Sequence, residues 1–187
     1  MSTRKEAAKR KLLEATASLL ETTVNPDDIT VRQIAETAGV GGGLINYYFE
    51  SRDQLIHEAV SMKMDSLASF VANQEEYTND PIQYLKNLLI SMSDIGMKDS
   101  KLNKISAEYE LLNGDFSACL YLLPVLRKIY NGKKSETDLR LLAYQLIIVF
   151  QSIYIRQQAF HMYSGINIEN KSERDLLISL IVDNLLK

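Results

Sequence analysis

Few side chains in this sequence could carry catalysis, and they do not assemble into a set. The two histidines, His57 and His161, have no second histidine four residues away and no other partner at metal-ligand spacing, so both are expected to be structural or surface groups. Cys119 has no histidine or basic residue beside it, which predicts a buried core thiol rather than a redox sensor. Glu108, Tyr109 and His161 could each move a proton, yet no spacing ties one to another. Gly39 to Gly43 contains four glycines, but no strand precedes it and no Lys-Ser or Lys-Thr follows, so it does not read as a phosphate loop. No enzyme, metal or cofactor is indicated. The groups that remain are suited to gripping a partner, and they cluster between Thr30 and Arg52.

The elements that hold this cluster follow from helical periodicity. Among 187 residues there are only three prolines and eight glycines, and apolar residues recur at three and four positions almost throughout, which predicts an all-α protein. A first amphipathic helix is expected from about Arg4 to Glu21, with Leu12, Ala15, Thr16, Leu19 and Leu20 on one side. Thr30-Val31-Arg32-Gln33 has the form of a capping box and predicts a short helix from Val31 that Gly39 ends. A second short helix should follow, with Ile45 and Phe49 one turn apart and packed against Ile34 and Ala38. Ser51-Arg52-Asp53-Gln54 forms another capping box and opens a helix bearing Leu55, Ala59, Met62, Leu67 and Phe70 to about Asn73. Asp80-Pro81 marks the next start, and further helices are expected near 81–95, 101–113, 115–131, 136–163 and 173–187.

Charge and composition narrow the setting. One cysteine allows no intrachain disulfide and suits a reducing compartment. The charged stretch Met1 to Lys11 lacks the apolar centre of a signal peptide, and the most apolar stretch, Leu139 to Ile155, is interrupted by Arg140, Gln145 and Gln151. A cytoplasmic protein that does not span a membrane is expected. The net charge of −3 argues against indiscriminate polyanion binding, although Arg4, Lys5, Lys9, Arg10 and Lys11 against Glu6 make a short basic arm. Met1 to Asp53 holds seven Lys and Arg against eight Asp and Glu, so charge by itself does not point to nucleic acid.

Ile29 to Leu55 contains the physical parts of a helix-turn-helix: capped helix, glycine turn, second short helix, capped third helix. Here the sequence resembles the tetracycline-repressor (TetR) family, because Thr30, Ile34-Ala35, Ala38-Gly39-Val40, Ile45, Tyr47-Tyr48-Phe49, Arg52 and Leu55 recur in that family's order and spacing. Leu12-Leu13-Glu14-Ala15 is similar to its first helix, so the detailed match runs from about Leu12 to Leu55. The resemblance implies an N-terminal three-helix DNA-binding domain over 1–53 and a helical effector-binding and dimerisation domain over 54–187. It implies a DNA-binding regulator, a repressor released from a near-palindromic double-stranded operator by a small-molecule effector. It also implies that Thr30, Tyr47 and Arg52 hold phosphates, with Arg32, Gly42, Gly43, Asn46 and Tyr48 at or near the bases. Arginine forks, an asparagine amide and tyrosine hydroxyls are chemically suited to those contacts. Which of Tyr47 and Tyr48 faces DNA stays open, and so does a purely capping role for Thr30.

Three departures from the family pattern shape the expectation. Thr22 to Asp28 contains no glycine; Gly41 stands where a serine or threonine cap is usual; and Gly42 and Gly43 remove side chains where base readers often sit. Successive glycines cost roughly 1 kcal/mol each in helix stability. Base readout is therefore expected to be sparse, carried by Arg32, Asn46, one tyrosine and DNA shape. A protein of the same fold acting through a protein partner is the alternative.

Two C-terminal helices are more apolar than one buried face requires: Leu139 to Ile155, and Leu176 to Leu186. Burial on two sides is expected, one against the core and one against a second copy, giving a homodimer through helices near 136–163 and 173–187. The resemblance implies an effector pocket, for which the candidates are Met92, Met97, Tyr109, Tyr121, Tyr144, Gln151, Tyr154 and Gln157.

Overall fold

A computed structural model describes residues 2–23, 26–72, 80–98 and 100–187. Ten α-helices and one 3-10 turn occur among the described residues, with no strand, which bears out the all-α reading. The helices are α1 (Ser2–Thr22), α2 (Val31–Ala38), α3 (Gly43–Tyr48), α4 (Arg52–Ala72), α5 (Pro81–Lys98), α6 (Ser100–Asn113), α7 (Ser117–Tyr130), α8 (Glu136–Ile155), α9 (Gln157–Ser164) and α10 (Lys171–Leu185). They form two compact units, one made of 1–66 with 99–109, the other of 67–98 with 110–187. This division by packing differs from the boundary expected at 53/54. Asn73, the expected end of α4, and the side chains of Arg4, Leu67 and Phe70 lie outside the described residues.

In the first unit, local rules set the helix ends. The Thr30 hydroxyl accepts from the Gln33 backbone N–H at 3.2 Å, and the Thr30 N–H donates to Gln33 Oε1 at 2.7 Å, so both halves of the capping box form. Gly39 ends α2 with φ 64°, a left-handed conformation that costs a side chain, and the Val40 N–H reaches back to the Ala35 carbonyl. The core of this unit joins Leu12 and Leu20 of α1, Ile34 of α2, Ile45 of α3, and Leu55, Ile56 and Val60 of α4, with Phe49 just past α3. Each of these is apolar at the spacing that its helix requires for one inward face. The box at Ser51 forms only in its forward half. Ser51 Oγ accepts from the Gln54 N–H at 3.0 Å, while the Gln54 side chain accepts from Glu50 N–H instead.

The second unit is built around Leu85 and Leu88 of α5, Leu122 and Leu126 of α7, Ala143 and Leu146 of α8, and Ile178 and Val182 of α10. Asp80 caps α5 by accepting from the Ile82 and Gln83 N–H groups, as the Asp-Pro pair predicts. The single helix expected over 136–163 is interrupted: Arg156 leaves helical geometry at φ −110°, ψ 30°, and α9 begins at Gln157. No proline or glycine stands there, so no local signal announces the break. The last helix starts two residues earlier than expected because Asn170 caps Lys171–Leu185. α8 is long and apolar enough to cross a membrane by length and composition. Leu139, Leu142, Ala143, Leu146 and Ile147 lie in the core, Ile148, Val149, Phe150, Ile153, Tyr154 and Ile155 are half-buried, and Leu141 and Tyr144 are exposed.

Candidate nucleic-acid interface

The short helix α3 buries one side and exposes the other. Ile45 and Phe49 are buried, Leu44 is half-buried, and Gly42, Gly43, Asn46 and Tyr47 face outward. Positions 42, 43, 46 and 47 are separated by three and four residues, so they share one exposed face. That face carries a single amide and no charged group of its own.

Burial separates the two tyrosines. Tyr47 is 61% exposed, whereas Tyr48 is half-buried, packs on the core of the first unit and meets Phe49 edge-on. The Tyr47 hydroxyl accepts from Lys5 Nζ at 2.7 Å, and the same ammonium lies 5.2 Å from the Tyr47 ring centre. The hydrogen bond from its side chain to Tyr47 holds the Lys5 ammonium above the usual lysine range. Lys9, one turn on, pairs with Glu58 at 2.6 Å and lies over the Phe49 ring. The basic arm of α1 is thus drawn onto α3 and α4 within this unit.

The two arginines are engaged differently. Arg32 is exposed and pairs with Glu36 one turn along α2 at 2.8 Å. Arg52 is largely covered; its Nε donates to the Ile29 carbonyl at 2.8 Å, and its guanidinium lies 3.3 Å from Asp53. It therefore ties the start of α4 to the residue before the Thr30 cap. Thr30 itself is exposed and occupied as a cap.

The candidate effector residues fall on α5, α6, α7, α8 and α9. Tyr109 belongs to the first unit, where it stacks on buried His57 with ring centres 4.8 Å apart. His57 Nδ1 is 2.8 Å from Ser106 Oγ, so the imidazole is engaged within the first unit. In the second unit Gln151 Nε2 donates to Glu110, and the Tyr154 hydroxyl donates to the Gly96 carbonyl at 2.6 Å. Burial, with a smaller contribution from Asp115, pushes the Glu110 carboxyl up to about 7, against the donation from Gln151. Tyr144 is exposed and meets Phe116 edge-on, Met92 packs on the core, and Met97, Tyr121 and Gln157 are half-buried. Cys119 is buried, as expected, and burial pushes its thiol up to about 11. Lys5 and Glu110 were not singled out by spacing; each meets its partner about forty residues away, which no local pattern reveals.

A capped helix, a left-handed glycine and a second helix with an exposed polar face have the form of a helix-turn-helix, an arrangement that DNA-binding proteins use. Residues 12–59 match the family model for bacterial regulatory proteins of the tetR family. Over those residues the chain is similar to that family. Three solved structures share its fold. The Thermus thermophilus FadR, a TetR-family transcriptional repressor in complex with lauroyl-CoA, is 18% identical, with TM-score 0.70 over 92% of this chain and 93% of that one. A TetR regulator from Rhodococcus sp. RHA1 is 14% identical, with TM-score 0.72 over 97% of both chains. One from Marinobacter aquaeolei VT8 is 15% identical, with TM-score 0.52 over 99% of this chain and 98% of that one. A search of curated protein sequences returns no match.

Proposed function

We propose that this chain is a cytoplasmic repressor that binds a near-palindromic operator as a homodimer and leaves it when a small-molecule effector occupies the second unit. The observation that carries the reading is the exposed face of α3, with Asn46 and Tyr47 outward while Ile45 and Phe49 anchor the helix. Thr30, Arg32, Gly42, Gly43, Asn46, Tyr47, Tyr48 and Arg52 are its DNA-contacting set, with Tyr47 the outward tyrosine and Arg52 acting through position as well as charge. The effector side rests on the polar pair Glu110–Gln151 and on Tyr154 among apolar helices. The Thermus thermophilus neighbour, a repressor holding lauroyl-CoA, supplies a precedent for a small molecule in this fold. An effector need shift binding by only about 1–3 kcal/mol to weaken DNA affinity five- to a hundredfold.

The test is a mobility shift on the DNA upstream of the protein's own gene. Binding at a discrete site, weakened by Asn46→Ala and restored to free DNA by a cell metabolite, is the expected result. A second reading, a partner-binding protein of the same fold, is favoured by the absence of charge on α3 and by the pairing of Arg32 with Glu36. Genomic footprinting without discrete peaks would select it.

A further inference from the structure

We propose that Gly41–Gly43 serves the DNA rather than the fold: the backbone at the start of α3 lies directly against the duplex, so that the short Asn46 side chain reaches the base edges. This rests on the DNA-binding reading above and deepens it. Gly39 has an internal reason to be glycine, its φ of 64°, but none of Gly41, Gly42 and Gly43 adopts a positive φ. Packing gives no reason either, since a methyl group built on any of the three meets no protein atom within 4 Å. All three are exposed.

The chain forgoes local stability at this point. Gly42 occupies the cap of α3 and supplies no side-chain hydrogen bond, whereas Thr30, Ser135 and Asn170 cap α2, α8 and α10 with theirs. A serine at 42 and an alanine at 43 would suit the isolated protein better. What a side chain would obstruct therefore lies outside the chain. Gly42 and Gly43 share a face with Asn46, four and three residues on, so the partner they admit is the one that Asn46 touches. An asparagine side chain is short, and pairing its amide with an adenine edge in the major groove requires the helix backbone to seat deeply.

The experiment compares Gly42→Ala, Gly42→Leu, Gly43→Ala and Asn46→Ala, alone and with Asn46→Ala added to Gly42→Leu, by thermal melting and by fluorescence anisotropy on the operator. Gly43→Ala should melt about 1–4 °C higher, and both alanine variants should bind about tenfold more weakly, a loss near 1.4 kcal/mol. Leucine should bind more weakly again, and Asn46→Ala should cost little once Gly42 is leucine. The inference is overturned if the alanine variants bind like wild type, if Gly43→Ala melts lower, if leucine costs no more than alanine, or if Asn46→Ala keeps its full cost beside leucine. Failure of the wild type to bind any genomic site is read before any variant is compared; it overturns the regulator reading and this inference with it.

Discussion

Lys5 on α1 donates a 2.7 Å hydrogen bond to the hydroxyl of Tyr47 on α3, joining the basic arm to the exposed face of α3 across 42 residues of sequence. A cation and a phenol held together at the surface are equipped to meet one phosphate, the ammonium by charge and the hydroxyl by hydrogen bonding. Lys5→Ala is expected to weaken operator binding and to reduce the slope of log affinity against log salt by about 0.9, the loss of one phosphate contact. Anisotropy titrations across a salt series measure this. An unchanged slope would remove Lys5 from the interface.

Arg32 and Arg52 should separate stability from binding. Arg32 is exposed and its pair with Glu36 is an ordinary surface contact, so Arg32→Ala should change unfolding free energy by no more than about 0.5 kcal/mol. Arg52 holds the Ile29 carbonyl from a covered position, and Arg52→Ala should cost about 1–3 kcal/mol. Urea denaturation of both variants checks the difference; equal stabilities would show that the Ile29 contact contributes nothing.

What the sequence reveals of this molecule tracks the range of each interaction. The ends of α2 are legible because Thr30, Gln33 and Gly39 act within one turn, and the start of α5 because Asp80 and Pro81 are adjacent. The break at Arg156 is not legible, since neither proline nor glycine marks it. Alternation of apolar residues places Ile45 and Phe49 inside, yet it leaves Tyr47 and Tyr48 equivalent. Only packing on the core, which Tyr48 joins and Tyr47 does not, tells them apart. The same holds for Tyr109, whose aromatic character suits a ligand site as well as it suits the stack on His57.

The second unit holds a buried tether between α5 and α10. Arg174 is 6% exposed and donates to the Ile168 carbonyl at 2.7 Å and to Asp94, which Lys171 also engages. Removing the covered cation takes the donor from the Ile168 carbonyl and leaves Asp94 to Lys171 and solvent, so Arg174→Ala should lower stability by about 1–3 kcal/mol. Lys171→Ala should cost far less, because that pair is exposed and screened. Thermal melts of the two variants decide the point, and a mild effect for Arg174→Ala would make the tether ornamental.

Two carboxylates should give stability an opposed response to pH. Asp94 is held below its ordinary 3.8 although burial pushes it up, because Lys171 and Arg174 more than offset that push. Its contribution is present above 3.8 and lost as pH falls further. Glu110 runs the other way: burial raises it from 4.5 to about 7. Folding favours its protonated form, so its contribution is whole below 4.5 and disappears as pH rises through about 7. The span corresponds to about 3 kcal/mol. Glu110→Gln, which keeps the shape and an acceptor for Gln151, should therefore be more stable than wild type at pH 8 and nearly flat between pH 5 and 7. Urea titrations at fixed pH test this, and a wild-type profile already flat over that range would refute it.

Assembly offers the last prediction. Leu176 is 61% exposed on α10, Leu180 is exposed one turn on, and Leu141 and Tyr144 are exposed on α8. Four large apolar groups on two helices are a costly surface for an isolated chain, since covering each such leucine yields about 1.5–3 kcal/mol. A second copy meeting the same surface would cover them by twofold symmetry, the symmetry that a palindromic duplex shares. The wild type should therefore sediment as a dimer at micromolar concentration. Leu176→Glu with Leu180→Glu should sediment as a monomer, since pairing would bury unpaired charges, and should keep the weak affinity for an isolated half-site while losing that for the full palindrome. A monomeric wild type, or a double variant that still binds the palindrome as tightly as before, would move the dimer contact away from α10.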